Sequence, residues 1–288
     1  MNAENADNKN NNDSNDDPKE TIRSSFWHEQ AEPDNPFAAA VCRCAGFDVY
    51  GDLLGKASWI EYLYLLFQGE QPDAAQTKLL NGLAVAIANP GPRDYSVHAA
   101  MAAGAGGSTL ASNLMAALAV GAGRLGGARE VCEAMGLWEQ CGRDLNTWQR
   151  ALEQYRNARQ TVTADIWPAA QHPPGFDPRG ISCPTPIRQT LTQLADNNVA
   201  IHLQWLQEHR SDMEAAAALP LAISGVAAAA FMDLGFDHQQ GEMLYLLLRL
   251  PGAAAHALDQ HGQSRRTFPF FRNGINLQND PGPKRGSP

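Results

Sequence analysis

The feature that most constrains this chain is a long stretch without charge in its middle. Residues 96–128 are dominated by Ala, Gly and Ser, and no charged side chain occurs between His98 and Arg124. A helical segment that is apolar on every side is either buried in a large protein or spans a membrane. Ala and Gly contribute little transfer free energy, and glycines interrupt the run. We therefore predict a buried central helical segment and no membrane span.

Glycines divide this stretch and end it. Those in residues 104–107 predict two helices, with Ser108 as the N-cap of the second, and Gly126 and Gly127 predict a turn that a ligand could approach closely. Residues 121–126 match G-x-G-x-x-G, but an Ala-rich helix precedes them where a dinucleotide site requires a strand. We therefore do not interpret this motif as a nucleotide site.

Composition excludes several classes of protein. The chain has 288 residues, a formal charge of -9 and 44% hydrophobic residues, enough for one large domain or two unequal lobes. Its acidic balance argues against binding to nucleic acid or to an anionic membrane surface. Five irregularly spaced cysteines without a secretory leader predict reduced thiols in a cytoplasmic protein, and their spacing predicts no metal site.

The remaining pattern predicts an all-α fold. Residues 1–36, rich in Asn and Asp, are expected to form a disordered tail, and residues 273–288 a flexible C-terminal tail. The helical domain then covers residues 37–272, in which no run of alternating strand residues occurs. We also predict one long helix at residues 187–209 and a helix that ends at Pro251.

A Pro- and Gly-rich loop at residues 171–188 and one isolated arginine carry the candidate chemistry. Arg179 and Arg188 could bind a carboxylate or phosphate, or be solvated residues of a rigid surface loop. Arg249 lies among leucines, and a buried guanidinium requires either an internal acidic partner or an anionic ligand. Three histidines could transfer protons or be packed, hydrogen-bonded residues: His98, His172 and His256.

Four segments resemble the citrate synthase superfamily, and within it the short citryl-CoA lyase type and the C-terminal module of ATP-citrate lyase. Residues 52–72 are similar to the opening helix pair of the family, and residues 123–128 are similar to its (H/F)-G-G-A turn. Residues 224–235 are similar to its D-G-x-x-A-A helix, and residues 249–260 are similar to its R-x-x-G-x-x-A-H helix. The resemblance implies an all-α homodimer with a large lobe and a small lobe at about residues 175–220, and an active site between the lobes.

The resemblance also implies an activity. Members form or cleave a C–C bond between an acyl-CoA, such as acetyl-CoA, and a 2-oxo acid, such as oxaloacetate, through citrate or citryl-CoA. The coenzyme A thioester is then a substrate, and no bound cofactor or metal is implied. The two carboxylate-binding arginines of the family fall on Arg188 and Arg249, and we expect Arg179, Gly126 and Gly127 to contribute to the same binding site.

The sequence departs from the family at its catalytic positions. The G-x-G-H-(R/P) motif falls on residues 175–179, which puts Pro178 where the histidine belongs. The carboxylate of the D-G motif falls on Ser224, and the histidine before G-G-A falls on Leu125, where lyase-type members can have Phe. Anion-binding residues are therefore retained beside altered catalytic groups.

Two hypotheses follow from these departures. In the first, the protein is an enzyme in which Asp177, His172 or Ser224 takes over the proton transfers. In the second, it is a catalytically inactive paralogue that binds a di- or tricarboxylate or a CoA ester, or that pairs with an active subunit. Superfamily resemblance favours the enzyme, and the missing groups favour the inactive paralogue.

Overall fold

A computed structural model describes residues 24–160 and 172–262 of the chain. The chain divides into two units, Met1–Ala57 and Ser58–Pro288. The predicted flexible tail at residues 273–288 lies outside the described residues, as do residues 1–23 and the first residue of the predicted loop. The division of the helical domain into lobes, with the small one at residues 175–220, stays a prediction.

The first unit contains a small antiparallel sheet that the sequence pattern did not predict. Its strands are β1 (Trp27–Ala31), β2 (Ala39–Cys44) and β3 (Phe47–Asp48), in the order β1-β2-β3, and a short π-helix follows at Val49–Leu53. The prediction of disorder throughout residues 1–36 is therefore wrong for β1. Four of the five β1 side chains are exposed. Because backbone pairing and not burial holds this strand, its sequence lacks the usual alternation of apolar and polar residues.

The second unit is helical, which confirms the all-α class. Its described helices are α1 (Trp59–Gln68), α2 (Ala74–Ile87), α3 (Tyr95–Ala105), α4 (Leu110–Gly121), α5 (Ala128–Cys141), α6 (Leu145–Gln160), α7 (Thr185–Ala195), α8 (Ile201–Ala217), α9 (Ile223–Asp233) and α10 (His238–Gly262). Within the described ranges no helix is long and apolar enough to cross a membrane. Capping boxes begin both α1, with Ser58 and Glu61, and α2, with Asp73 and Gln76.

The prediction of one helix at residues 187–209 is wrong, because α7 and α8 are separate helices. Asn197 lies in the turn between them, where its Oδ1 accepts a hydrogen bond from Val199 N at 3.1 Å and its Nδ2 donates one to Ala75 O at 2.9 Å. Short polar side chains that bond to nearby backbone compete in this way with helix continuation.

The helix predicted to end at Pro251 instead continues through it as α10. A proline inside a helix removes one backbone donor and usually kinks or breaks the helix. Here the N–H of the next residue, Gly252, donates to Ala88 O at 2.8 Å, beyond the end of α2. A Cβ at Gly252 would lie 2.3 Å from that oxygen. The irregular turn thus brings the backbones of two helices into contact.

The Ala- and Gly-rich stretch forms α3 and α4, with the break between them where glycines predicted it. The N-cap of α4 is Thr109, which accepts from Ser112 N, and not Ser108 as predicted. Small residues let α3 lie directly against α10, and a Cβ at Gly104 would lie 2.6 Å from Ala257 O. The Ala- and Gly-rich composition of α3 therefore allows the backbones of α3 and α10 to approach closely.

This stretch is nevertheless not the buried centre of the chain, contrary to the prediction. Three apolar side chains of α4 are exposed, Leu110, Met115 and Val120, the second of them to 61%. The helix that is buried along its length is α9, in which each residue from Ser224 to Phe231 is buried. The absence of charge in α4 therefore does not indicate burial, because sequence hydrophobicity cannot distinguish an exposed apolar side chain from a buried one.

We expect Gly252→Ala to lower the free energy of unfolding by about 1–3 kcal/mol, because the added methyl would overlap the backbone near Ala88. Gly136→Ala, in α5, is the matched control. A Cβ there meets its nearest atom at 3.7 Å, so the variant should be stabilised by about 0.5–1 kcal/mol through helix propensity. Urea denaturation measures both, and equal effects would contradict the proposed close contact.

Candidate functional site

The turn between α4 and α5 takes a conformation that requires glycine. Gly126 has a φ of 72°, and a Cβ at Gly127 would lie 2.3 Å from Gly123 O. Both backbone polar groups of Gly126 bind a side chain. Its N–H donates to Glu130 Oε2 at 2.5 Å, and its carbonyl accepts from Arg249 Nη1 at 2.9 Å. The predicted turn therefore exists, and it joins an acidic and a basic side chain.

Glu130, in the first turn of α5, is the central acceptor of this region, although the sequence did not point to it. Its side chain is 2% exposed. Besides Gly126 N, it accepts from Ser224 Oγ at 2.7 Å and from Gly175 N at 3.1 Å, both on Oε1. A buried carboxylate is stable only when hydrogen bonds replace its water, and these three donors do so. The available signal was its position one helical turn after the two glycines.

The predicted functional loop is held to the start of α9 by a short antiparallel bridge. Phe176 pairs with Leu221, Asp177 N donates to Pro220 O at 2.9 Å, and Ala222 N donates to Gly175 O at 2.9 Å. Together with the bond from Gly175 N to Glu130, these contacts set the position of Asp177. Its Oδ1 accepts from Arg179 N at 2.9 Å.

A cavity of about 260 Å³ lies between this loop, the turn before α5 and the start of α3. Its lining includes the charged residues Arg93, Asp94, Glu130, Asp177 and Arg179. Arg179 lies over the ring of Tyr95, with its guanidinium carbon 4.9 Å from the ring centroid. Among the described residues, no carboxylate pairs with Arg93 or Arg179. Their charges are thus available to an anion in this cavity.

Two of the three catalytic candidates lie away from this cavity lining. Ser224 is 0% exposed and donates to Glu130, and His172 is also buried. The His172 Nε2 lies 3.6 Å from Glu130 Oε2, too far for a hydrogen bond, and has no other partner among the described residues. Asp177 is therefore the one catalytic candidate that lines the cavity. Pro178, at the position of the family histidine, lines it as well.

Arg249 has an internal acidic partner, which was one of the two alternatives left open by the sequence. Its Nη2 donates to Asp94 Oδ2, and its guanidinium lies over the Tyr245 ring at 4.8 Å from the centroid. Asp94 also caps α3 by accepting from the N–H groups of Ser96 and Val97. Burial raises the pKa of Tyr245 to about 12, an effect that the Arg249 charge partly offsets. The phenol is thus neutral beside this ion pair.

Arg188, the other carboxylate-binding candidate, lies in a different place. At the start of α7 it donates from Nη1 to Cys183 O and from Nη2 to Thr185 Oγ1, both at 3.0 Å. It lines two other surface cavities, of about 660 and 400 Å³. Among the cavities that the described residues line, those at Arg188 do not include Arg249. Nor, among the described residues, do His, Cys, Asp and Glu side chains form a cluster of three that could hold a metal ion.

Solved structures define the class of fold to which this helical arrangement corresponds. It is similar to citryl-CoA lyase from Hydrogenobacter thermophilus, with a TM-score of 0.67 and 17% identity over 93% of this chain and 97% of that chain. This likeness and the two below confirm the predicted citrate synthase-like fold. No protein-family model matches the chain, and a search of curated proteins found no match.

Two longer proteins share the fold over part of their length. ATP citrate lyase from Methanothrix soehngenii, solved in complex with citrate and coenzyme A, has a TM-score of 0.63 and 17% identity over 91% of this chain and 43% of that chain. Citrate synthase from Thermotoga maritima MSB8 has a TM-score of 0.53 and 16% identity over 79% of this chain and 61% of that chain. This chain thus spans less than two thirds of either protein.

The ion pair of Arg249 and Asp94 is expected to be a stability element. Arg249→Met should lower the free energy of unfolding by about 3 kcal/mol, because it leaves a partly buried carboxylate without its partner. Asp94→Asn removes that charge and keeps a capping side chain. In this background, Arg249→Met should lower the free energy of unfolding by a smaller amount. Denaturant unfolding of the two single variants and the double variant tests this coupling, which strictly additive effects would contradict.

Proposed function

We propose that this protein forms or cleaves a C–C bond between an acyl-CoA and a 2-oxo acid, as citrate synthase and citryl-CoA lyase do. The observation that supports the proposal most directly is that Asp177 and Arg179 line the same cavity. The first offers a carboxylate for proton transfer, and the second offers a guanidinium for a substrate carboxylate. The similarity of the fold to lyases and a synthase is consistent with this use of the cavity.

Asp177 is the proposed proton-transfer group. Its Oδ1 is hydrogen-bonded by Arg179 N, whereas no donor among the described residues is bonded to its Oδ2. That oxygen would remove the α-proton of an acyl-CoA, or return it in the cleavage direction. The adjacent Pro178, at the position of the family histidine, has no side-chain proton to donate. We therefore assign the proton transfer to Asp177.

Arg179 is the proposed carboxylate-binding residue of the cavity. Stacking on Tyr95 holds its guanidinium without using its N–H donors, which leaves them for a planar carboxylate. The coenzyme A thioester is a substrate in this proposal, and no resident cofactor or metal takes part. The proposed location in the cytoplasm follows only from the cysteine pattern of the sequence.

One observation favours the alternative of a catalytically inactive binding protein. Ser224 replaces the family carboxylate and is wholly buried, and its hydroxyl is bonded to Glu130. Neither it nor Pro178 presents a proton-transfer group to the cavity. A protein with this site could still bind a di- or tricarboxylate or a CoA ester, or pair with an active subunit.

Asp177→Asn should lower kcat by at least about 100-fold while the protein still binds its ligand, because the amide cannot accept the α-proton. Arg179→Met should instead raise KM by roughly 10–100-fold, through loss of a charged hydrogen bond. Cleavage of citryl-CoA, and release of free coenzyme A from acetyl-CoA and oxaloacetate, provide the assays. The exposed Arg143, changed to Met, is the control that should alter neither value.

Three outcomes of these assays are distinct. Loss of binding in Arg188→Met, with Arg179→Met unaffected, would contradict the proposed cavity and favour the site implied by the family resemblance. Absence of turnover, together with a rise in melting temperature on adding citrate, would support the inactive binding protein. Unchanged kcat in Asp177→Asn would exclude this residue as the base.

We also propose that the protein is a homodimer, supported by the three exposed apolar side chains of α4. Contiguous exposed apolar surface commonly marks an interface between chains. Met115→Glu would place a charge among these side chains and should shift the protein towards monomer in analytical ultracentrifugation. Lys78→Glu likewise places a glutamate at an exposed helix position, on the separate helix α2, and should not. A wild-type monomer at micromolar concentration would contradict the proposal.

A further inference from the structure

The proposed reaction requires a proton donor at an oxygen as well as a base at a carbon. When the new C–C bond forms, the keto oxygen of the 2-oxo acid becomes an alkoxide, and a donor at that oxygen lowers the barrier. The family resemblance implies histidines at the positions of Pro178 and Leu125, and neither of these side chains has a proton to donate. Asp177 is assigned to the carbon, so the oxygen needs a different residue of the cavity.

Tyr95 is the one described residue of the cavity lining whose side chain can transfer a proton to an alkoxide at neutral pH. The described lining contains no His, Cys, Ser, Thr or Lys. Of its carboxylates, Asp94 is in an ion pair, Glu130 accepts three hydrogen bonds, and Asp177 must be ionised to act as the base. Its arginines donate hydrogen bonds but keep their protons, whereas a phenol can do both.

The position of Tyr95 beside the cavity is fixed by the start of α3. Tyr95 is the first residue of this helix, and the preceding Asp94 caps it by accepting from the N–H groups of Ser96 and Val97 at 3.0 and 3.3 Å. The ion pair between Asp94 and Arg249 holds the same end of α3 against α10. Tyr95 is 43% exposed, and no described residue forms a hydrogen bond with its hydroxyl. The hydroxyl is therefore available to a ligand.

Arg179 contacts both this phenol and the candidate base. Its guanidinium carbon lies 4.9 Å from the centroid of the Tyr95 ring, and its backbone N–H donates to Asp177 Oδ1 at 2.9 Å. A cation over the ring stabilises the negative charge that the phenol oxygen acquires when it gives up a proton. Arg179 thus holds the two groups at one site and favours proton release from the phenol.

We infer that Tyr95 is the catalytic acid of this site. Its hydroxyl donates a hydrogen bond to the keto oxygen of the 2-oxo acid and then transfers its proton to the alkoxide that forms there. This inference rests on the proposed function and adds a second catalytic residue to the same cavity, in place of the histidines that the sequence lacks.

The reaction is balanced with these two residues and water. Asp177 takes a proton from the α-carbon of the acyl-CoA, and the electron pair of that C–H bond forms the bond to the keto carbon. The carbonyl π electrons move to the oxygen, which takes the proton of Tyr95. Asp177 then releases its proton to water, and the phenolate takes one up from water. The product, a 3-carboxy-3-hydroxyacyl thioester of coenzyme A, contains all the atoms of both substrates, and cleavage is the reverse.

Tyr95→Phe tests the inference, because it removes the hydroxyl and keeps the ring on which Arg179 lies. With acetyl-CoA and oxaloacetate, and with citryl-CoA, we expect kcat to fall at least about 100-fold, the contribution of a general acid. KM should rise no more than about fivefold, through loss of one neutral hydrogen bond. Tyr50 is 65% exposed and absent from the cavity lining, so Tyr50→Phe is the matched control and should change neither value.

Tyr95→Leu separates the hydroxyl from the ring. This variant removes both, so it should lose as much kcat as Tyr95→Phe and also raise KM, because Arg179 loses the ring that orients it. A residue that only supports Arg179 would give a different result. Tyr95→Phe would then match the wild type while Tyr95→Leu alone raised KM, and that pattern would overturn the inference.

A binding measurement tests the same contact without turnover. Citrate and tricarballylate differ only in the hydroxyl group of citrate, whose oxygen corresponds to the keto oxygen of the 2-oxo acid. Tyr95→Phe should weaken citrate binding about fivefold, because one hydrogen bond is lost, and should leave tricarballylate binding unchanged. Isothermal titration calorimetry of the wild type and of both Phe variants gives these affinities.

The outcomes separate this inference from the proposed function. Unchanged kcat in Tyr95→Phe, with activity lost in Asp177→Asn, would overturn the inference and leave the proposed function in place. Wild-type protein without turnover would contradict the proposed function. In that case a loss of affinity for citrate alone in Tyr95→Phe would uphold the contact of Tyr95 with this oxygen, and equal effects on citrate and tricarballylate would overturn it. Wild-type protein that neither reacts nor binds citrate would overturn both.

Discussion

The structure around the cavity depends on the hydrogen bonds of one buried carboxylate. Glu130 accepts from the turn that begins α5, from the loop that carries Asp177 and from α9. A carboxylate buried in this way would be strongly destabilising without hydrogen bonds. The three donors therefore stabilise Glu130, and Glu130 in turn holds the three segments that carry them. The two glycines of the turn and Gly175 matter because they let the backbone approach this side chain. The position of the candidate base thus follows from a residue that need not take part in the reaction itself.

The second organising element is close packing of small residues. Backbone contacts at Gly104 and Gly252 hold α10 against α3 and the end of α2, and Asp94 and Arg249 join the same two helices, α3 and α10, by an ion pair. That pair explains the isolated arginine without a ligand. It also changes how the family resemblance is understood, because a guanidinium that is already satisfied has fewer donors left for a substrate. In the function proposed above, anion recognition is therefore assigned to Arg179, which lines the cavity.

The departures from what the resemblance implies lie around one cavity. Where the resemblance expects a histidine and a carboxylate, Pro178 contributes apolar surface and Ser224 a buried hydroxyl bonded to Glu130. Leu125 lines the same cavity. Compared with what the resemblance implies, the lining of this cavity therefore has fewer polar side chains and more aliphatic ones.

The sequence by itself determined the helical class, the position of most helices, both helix-breaking glycine turns and the family of fold. Helix periodicity, capping residues and ordered motifs are local signals, and local contacts produce them. The three strands were not predicted because backbone pairing holds them. The continuity of α10 through Pro251 was not predicted because the N–H of Gly252 donates to Ala88 O, which follows α2 and is far away in sequence. Only tertiary structure decided that Arg249 pairs with Asp94, that Arg188 lies elsewhere and that Glu130 organises the site. The contact of Arg249 with Asp94, and those of Glu130 with Gly175 and Ser224, join residues far apart in sequence, and no local pattern encodes them.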